Sequence, residues 1–139
     1  MAGLSTTEVA AVAEFRAALR RFLRRTERIA RQSGLTPQRY LLLLMVKGAP
    51  DGSGRSTVTE LADRLQLAQS TVTELVSRAE EAGLLEREQS PTDARVAHLR
   101  LTEEGERRLV DAFTGLSTER DHLRDAFAHL DLQLDAPIG

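Results

Sequence analysis

The sequence contains no cysteine and no tryptophan, and aromatic residues make up only 4% of its 139 residues. The absence of cysteine excludes disulfides, thiol catalysis and cysteine-based redox sensing. With so few aromatic rings, stacking on bases or sugars is not an expected mode of binding. The longest apolar run, Tyr40–Val46, is too short to cross a bilayer, and nothing resembles a signal peptide. We therefore expect a cytoplasmic protein without a membrane partner.

A strong excess of one charge sign is also missing, because the net charge is only −2. The charges are nevertheless unevenly placed, with a net of +4 in Glu8–Arg31, −1 in Leu35–Thr102 and −5 in Glu103–Asp135. Two helix faces in contact with water would produce this distribution, and so would two chain ends that pack against each other. Both interpretations stay open on the sequence alone.

The first segment has the pattern of one long helix. Ser5–Glu8 (STTE) predicts a capping box at its start, and Gly34 predicts its end. Within it, apolar residues and one threonine recur in alternating steps of three and four, which indicates a heptad seam. The members of this seam are Val12, Phe15, Leu19, Phe22, Thr26 and Ile29.

A second helix is predicted from Thr36 as N-cap and Pro37 in the first turn. Because it is apolar nearly all round, we expect it to be buried. Glycines and a proline end it in the loop Gly48–Gly54.

The hexapeptide STVTEL occurs twice, at Ser56–Leu61 and at Ser70–Leu75. In each copy a threonine followed three residues later by glutamate predicts a capping box and the start of a short amphipathic helix. Because only Gln66–Gln69 separates these helices, they must cross sharply, as in a helix-turn-helix. A single echo at this spacing is too short for a solenoid repeat, so we interpret it as two helices with the same cap and core spacing. The two expected boxes are Thr57 with Glu60 and Thr71 with Glu74.

Two strand-like segments follow Gly83, which predicts the end of the second of these helices. They are Leu84–Glu88 and Val96–Leu101, and the latter alternates between apolar and polar residues. Gln89–Arg95 between them contains serine, proline, threonine and aspartate, which is typical of a hairpin tip. A helix-turn-helix followed by a β-hairpin predicts a winged helix.

A second heptad seam occupies the C-terminal segment, which begins with Thr102 as the expected cap. Because the seam passes through Gly115 without losing phase, we predict one helix over residues 103–132, although the glycine costs about 1 kcal/mol. A break at Gly115–Ser117 is the alternative. The seam consists of Leu109, Phe113, Leu116, Arg120, Leu123, Phe127, Leu130 and Leu134.

Residues Leu35–Gly105 resemble the MarR family of bacterial transcriptional regulators. The resemblance is carried by LTPQRYLLL, by STVTELVSRAEEAGLLERE and by SPTDARVAHLRLTEEG. The last stretch contains the Asp-x-Arg of the family's wing (Asp93–Arg95) and the Leu-Thr-x-x-Gly that opens a long helix (Leu101–Gly105). The resemblance implies a mainly α fold with a small β-hairpin, in which a winged helix-turn-helix is flanked by long N- and C-terminal dimerisation helices.

Two residues depart from the family pattern. Ala94 stands where a second arginine is common, so the wing carries fewer cations. Ala68 stands where a serine often caps the recognition helix, so Ser70 or Thr71 is expected to take over as the cap.

The expected domains are an N-terminal dimerisation helix (1–34), a DNA-binding domain (35–102) and a C-terminal dimerisation helix (103–139). One chain can pair its own two seams and still have large apolar residues left over. Burial of these residues against a second chain would release about 25 cal/mol per Å² of apolar surface, so the seams predict a homodimer. The resemblance implies the same. The predicted dimerisation residues are Val12, Phe15, Leu19, Phe22, Leu109, Phe113, Leu116, Leu123, Phe127 and Leu130.

The outward face of the predicted recognition helix, Gln69–Ala82, and the wing are expected to contact double-stranded DNA. Short polar groups at a helix N-terminus suit phosphates, and Arg78 suits guanine or phosphate. Arg95 at the wing tip suits the minor groove, with Asp93 as a hydrogen-bonded support. Arg87 and Arg100 are weaker candidates. The expected DNA-binding residues are Gln69, Ser70, Thr71, Thr73, Ser77, Arg78, Arg87, Asp93 and Arg95.

No enzyme, cofactor or metal site is expected. The sequence has no nucleophile with a partnered base and no glycine-rich phosphate loop followed by Lys-Ser/Thr. His122 and His129 lie seven residues apart, about 10 Å along a helix, so one ion cannot bridge them. The resemblance implies a small aromatic or phenolic effector in some family members. Residues that could line its pocket are Arg16, Arg20, Arg39 and Tyr40.

These expectations combine into a sequence-specific regulator, a repressor that binds a pseudo-palindromic operator as a homodimer and is released by a small-molecule effector. The alternative is a winged-helix module for protein–protein contact. Glu74 on the outward face and the nearly neutral DNA-binding domain favour that alternative, whereas Arg95 at the wing tip opposes it.

Overall fold

The computed structural model describes residues 3–134, which form six helices and one two-stranded antiparallel sheet. This confirms the expected mainly α fold with a small β-hairpin. Across these residues, no helix combines the length and the hydropathy that a membrane span requires. The elements are α1 (Thr6–Gln32), α2 (Pro37–Lys47), α3 (Val58–Leu65), α4 (Gln69–Glu81), β1 (Leu85–Gln89), β2 (Ala97–Leu101), α5 (Glu103–Gly115) and α6 (Ser117–Leu134).

The chain divides into two compact units. The central unit is Ala30–Ala112, and the terminal unit has 3–29 and 113–134 as its described residues. The expected division into functional domains at residues 34 and 102 stays a prediction.

Helices α2, α3 and α4, the hairpin and most of α5 build the central unit. Helix α3 packs against α2 and α4, while α2 contacts β2 and α4 contacts β1. Apolar side chains recur every three or four residues in the helices and at alternate residues in β2, so each of these elements has an apolar face. Packing these faces together removes them from water. The core residues of these elements are Leu42, Leu43, Val46, Leu61, Val72, Val76, Ala79, Leu85, Leu99 and Leu101.

The sheet pairs Leu85 with Leu101 at its base and Gln89 with Ala97 near the tip. Ser56 extends this sheet through an isolated bridge to Leu99. The Ser56 N–H donates to Leu99 O at 3.1 Å, and the Leu99 N–H donates to Ser56 O at 2.8 Å. The loop before α3 is therefore tied to the wing.

Most predicted helix ends are confirmed. Ser5 Oγ accepts a hydrogen bond from the Glu8 N–H at 3.3 Å, and Thr36 Oγ1 accepts from the Arg39 N–H at 3.1 Å. Gly34 and Gly83 follow α1 and α4 with φ of +78° and +74°, a conformation that favours glycine.

The prediction of one continuous C-terminal helix was wrong, and the alternative break is correct. Helix α5 ends at Gly115 and α6 begins at Ser117. At the break, Phe113 O accepts from the Leu116 N–H at 3.2 Å and from Arg120 Nη1 at 2.6 Å. These two donors take the place of the usual helical hydrogen bond to Phe113 O. A heptad pattern that continues through Gly115 is therefore compatible with two separate helices.

Within the terminal unit, α1 lies against α6. The rings of Phe15 and Phe127 meet edge to face with centroids 6.0 Å apart. Arg25 Nε lies 3.1 Å from Glu119 Oε1, which joins the basic first helix to the acidic last one.

Two predicted dimerisation residues are turned inward. Leu109 and Leu116 are only 6% and 0% exposed, so they pack inside their own subunit and present no surface to a partner. Their heptad positions are equally compatible with an intramolecular core, and this is the use that the structure shows. By contrast, Val12, Phe113 and Phe127 are 43%, 45% and 57% exposed.

Candidate nucleic-acid interface

Helix α4 presents a polar face to solvent. Val72, Val76 and Ala79 are fully buried on the opposite side, because they recur at steps of three and four. This arrangement leaves the predicted contact residues of the helix outside the core. The exposed residues of this face are Gln69, Ser70, Thr71, Thr73, Glu74, Ser77 and Arg78.

The predicted cap of α4 was wrong. The helix starts at Gln69, so Ser70 and Thr71 already lie inside its first turn and neither is the N-cap residue. Ala68 occupies the N-cap position, and within the described residues no side chain caps this end. The expected box of Thr71 with Glu74 therefore does not form. The first-turn N–H groups of α4 remain open to an external acceptor.

The turn between α3 and α4 is held by hydrogen bonds of its backbone and of two glutamine side chains. Gln66 caps α3 in the left-handed region, with φ +56° and ψ +47°. Its side-chain amide donates to Asp63 O at 2.6 Å, and the Leu67 N–H donates to Ala62 O at 3.1 Å. Gln69 Nε2 also reaches Thr59 Oγ1 at 3.3 Å. These bonds set the direction in which α4 leaves the turn.

The wing tip directs one guanidinium outward. Asp93 Oδ1 accepts from the Arg95 N–H at 3.0 Å and from Arg95 Nε at 3.2 Å. These hydrogen bonds, first the backbone one and then the side-chain one, hold the pKa of Asp93 below its usual range. Asp93 therefore stays ionised at neutral pH and supports Arg95, whose side chain is 91% exposed.

Side chains also hold the tip itself in shape. Ser90 Oγ accepts from the Thr92 and Asp93 N–H groups, each at 3.3 Å. The Gln89 side-chain amide donates to Ala94 O at 2.9 Å. The tip is thus a defined turn rather than an open loop.

Thr102 and Gly105 join the wing to α5 and α4. Thr102 Oγ1 donates to Gly83 O at 2.6 Å and accepts from the Gly105 N–H at 3.0 Å. A Cβ on Gly105 would lie 2.1 Å from Leu84 O, so only glycine permits this close approach. This gives the Leu-Thr-x-x-Gly motif a structural role that helix periodicity could not reveal.

Sequence reasoning predicted Asp93 as the partner of Arg95 but missed the carboxylates that accompany Arg87 and Arg78. Arg87 Nε donates to both carboxylate oxygens of Glu80, at 2.9 and 3.1 Å. Arg78 Nη2 lies 2.6 Å from Glu74 Oε1, one turn earlier in α4. Only this second pair has a sequence signal, the spacing of four residues within one helix.

The residues suggested for an effector pocket differ in exposure. Arg16 and Arg20 are exposed on α1, whereas on α2 Arg39 is half-buried and Tyr40 is only 4% exposed. No group of three or more His, Asp or Glu side chains within residues 3–134 is placed to hold a metal ion.

The tight turn, the polar face of α4 and the following hairpin define a winged helix-turn-helix protein. The MarR family profile matches residues 33–96, which include both STVTEL copies and most of the wing. Over these residues the chain is similar to the MarR family.

Among curated proteins, the chain is similar to the uncharacterised HTH-type transcriptional regulator YsmB of Bacillus subtilis. The two are 33% identical over 99 residues, which is 71% of this chain and 63% of YsmB. The chain thus spans less than two thirds of the length of that relative.

Two solved structures have the same fold. AbsC, a MarR family transcriptional regulator from Streptomyces coelicolor, superposes with a TM-score of 0.70 at 24% identity, covering 97% of this chain and 94% of AbsC. A mutant of MarR from E. coli, complexed with operator DNA, has a TM-score of 0.68 at 18% identity, with coverage of 89% and 90%.

Proposed function

We propose that this chain is a sequence-specific DNA-binding regulator of transcription that acts in the cytoplasm. The observation that carries the proposal is the combination of an uncapped, polar α4 with a wing tip whose arginine is 91% exposed and supported by Asp93. Free N–H groups at a helix start suit phosphate oxygens, and a narrow hairpin tip can carry a guanidinium into the minor groove.

The DNA contacts divide into three kinds. Ser70 and Thr71 in the first turn of α4 would bind phosphate, Thr73 and Arg78 would reach base edges, and Arg95 would enter the minor groove. The full proposed set is Gln69, Ser70, Thr71, Thr73, Ser77, Arg78, Arg87, Asp93 and Arg95.

The regulator would act as a homodimer on a pseudo-palindromic site whose half-site centres lie about 34 Å apart. Exposed apolar side chains on the terminal helices support this proposal, since water contact with them is unfavourable. A dimer on its operator would repress by occupying DNA that polymerase needs. The proposed interface residues are Val12, Phe15, Leu19, Phe22, Phe113, Leu123, Phe127 and Leu130.

A small aromatic or phenolic effector completes the proposal. The terminal unit contains a groove of about 550 Å³, a size typical of small-molecule sites. Phe22 offers it a ring for an aromatic effector, whereas Arg21 and Arg25 are paired with Glu14 and Glu119, so an acidic group would have to compete with these carboxylates.

A protein–protein module is the second candidate. Residues 30–112 hold eleven basic and thirteen acidic residues, a net charge of −2, which does not attract DNA at long range. An electrophoretic mobility shift with DNA flanking the chain's own gene separates the two candidates, because only the regulator retards that DNA.

Replacing the wing-tip arginine tests the DNA-binding proposal. Arg95→Ala should weaken binding to the retarded duplex by roughly 10- to 100-fold, because a guanidinium in a groove is worth about 1–3 kcal/mol. Light scattering at micromolar concentration should show a dimer in both the wild type and the variant.

Arg107→Ala is the matched control. Arg107 is an exposed arginine of α5 that pairs with Glu104, so its loss changes the charge equally without touching α4 or the wing. Equal affinities of the Arg95 and Arg107 variants would refute the role of the wing tip.

A further inference from the structure

The arginines on the proposed DNA-facing surface are each bound to a carboxylate of the same chain. Nonspecific DNA affinity comes mainly from cations that neutralise phosphates and release counterions. A paired arginine contributes less to nonspecific affinity, because its ion pair with the carboxylate must break before it can bind a phosphate. The pairs are Arg78 with Glu74 at 2.6 Å, Arg87 with Glu80 at 2.9 Å, Arg95 with Asp93 at 3.2 Å and Arg100 with Glu86 at 2.8 Å.

The pair of Arg87 with Glu80 joins the recognition helix to the wing. Glu80 lies in the last turn of α4, and Arg87 lies in β1, across Gly83. Both oxygens of Glu80 accept from Arg87 Nε, and the Glu80 side chain is only 26% exposed. By comparison, the side chains of Glu74 and Arg78 are 63% and 62% exposed, so water competes more strongly for that pair.

From this geometry we infer that Glu80 restrains Arg87, so that the protein binds DNA of arbitrary sequence weakly. The inference rests on the proposed function. A phosphate that takes Arg87 leaves the Glu80 carboxylate without its partner, and that carboxylate then attracts a cation from solution. The counterion released from the phosphate is thus offset by one taken up at Glu80.

The offset lowers affinity wherever Arg87 meets a phosphate, whatever the DNA sequence. On an arbitrary sequence, phosphate contacts supply essentially all of the binding. On the cognate site, contacts of α4 and the wing tip with base edges add to the phosphate contacts. Glu80 therefore keeps binding to DNA of arbitrary sequence weak.

The test compares Glu80→Gln with Glu81→Gln. Glu81 is the next residue of the same helix, is exposed and has no ion-pair partner within residues 3–134, so its variant makes the same charge change without freeing an arginine. Binding to a mixed-sequence duplex of about three helical turns is measured by fluorescence anisotropy over a salt series. Only Glu80→Gln should tighten binding several-fold and steepen the slope of log K against log salt by about 0.9.

A double variant shows whether the effect passes through Arg87. In the Arg87→Ala background, Glu80→Gln should change affinity no more than Glu81→Gln does, and thermal unfolding should show that each variant is folded. Identical slopes for the two single glutamine variants would overturn the role of Glu80 and leave the proposed function standing. A wild-type protein that binds no duplex even at low salt would overturn the proposed function itself.

Discussion

The two copies of STVTEL have the same six residues but start their helices at different positions. In the first copy, Ser56 is extended and hydrogen-bonded to β2, Thr57 is the N-cap, and the helix starts at Val58. In the second copy, α4 has already started at Gln69, so the whole hexapeptide is helical. A local sequence therefore does not determine where its helix begins.

Pairing with the sheet explains the difference. The bridge to Leu99 holds Ser56 in an extended conformation, so α3 can begin only after it. The Thr57 side chain accepts from the Glu60 N–H at 3.2 Å, and the Glu60 carboxylate accepts from the Thr57 N–H at 3.3 Å. No strand holds Ser70 within the described chain, so the helix extends backward past it.

The first copy consequently contributes to the fold, and the second presents its side chains to solvent. Ser56 is 1% exposed, whereas Ser70 is exposed. The arginine three residues after each copy follows the same division. Arg64 donates to the carbonyls of Met45 and Gly48 at the end of α2, whereas Arg78 contacts only Glu74 of its own helix among described residues.

The largest difference is expected at the final leucine of each copy. Leu61 is fully buried and Leu75 is partly exposed. Leu61→Ala should reduce the free energy of unfolding by about 3 kcal/mol, since it removes core contacts and leaves a cavity. Leu75→Ala should cost roughly half as much. Urea denaturation of both variants measures the difference, and equal losses would contradict the division between the copies.

The arginines should give the next largest contrast. Arg64→Ala should reduce the free energy of unfolding by about 2 kcal/mol, because two carbonyls at the end of α2 lose a charged donor. Arg78→Ala should change it by less than about 0.5 kcal/mol, since exposed pairs within one helix are weak. Thermal unfolding of both variants measures this difference in stability. DNA binding should give the reverse order, with Arg78→Ala the weaker binder.

The sequence predicts well those features that depend on neighbours along the chain. The caps at Ser5 and Thr36 and the stops at Gly34 and Gly83 need only local backbone geometry, and all four are confirmed. The alternation in β2 also places Leu99 in the core as expected. Such features follow from periodicity and from the conformations that each residue allows.

The missed features depend on contacts between different elements of the fold. The capping box that starts α3 was predicted, but the bridge that ties Ser56 to Leu99, 43 residues further along the chain, was not. The break at Leu116 coincides with the side chain of Arg120 reaching Phe113 O. The Glu80 partner of Arg87 lies on another element. A heptad pattern or a capping pattern carries no information about these partners.

The smallest contrast should lie at the threonine that opens each helix pattern. Thr57→Ala should cost about 1 kcal/mol, because it removes the capping box of α3. Thr71 lies on the exposed face inside α4. Thr71→Ala should therefore change the free energy of unfolding by less than about 0.5 kcal/mol, since alanine is also the better helix former. Chemical denaturation of both variants in parallel checks this. A loss at Thr71 as large as that at Thr57 would mean that Thr71 caps a helix in solution, and that α4 starts three residues later than Gln69.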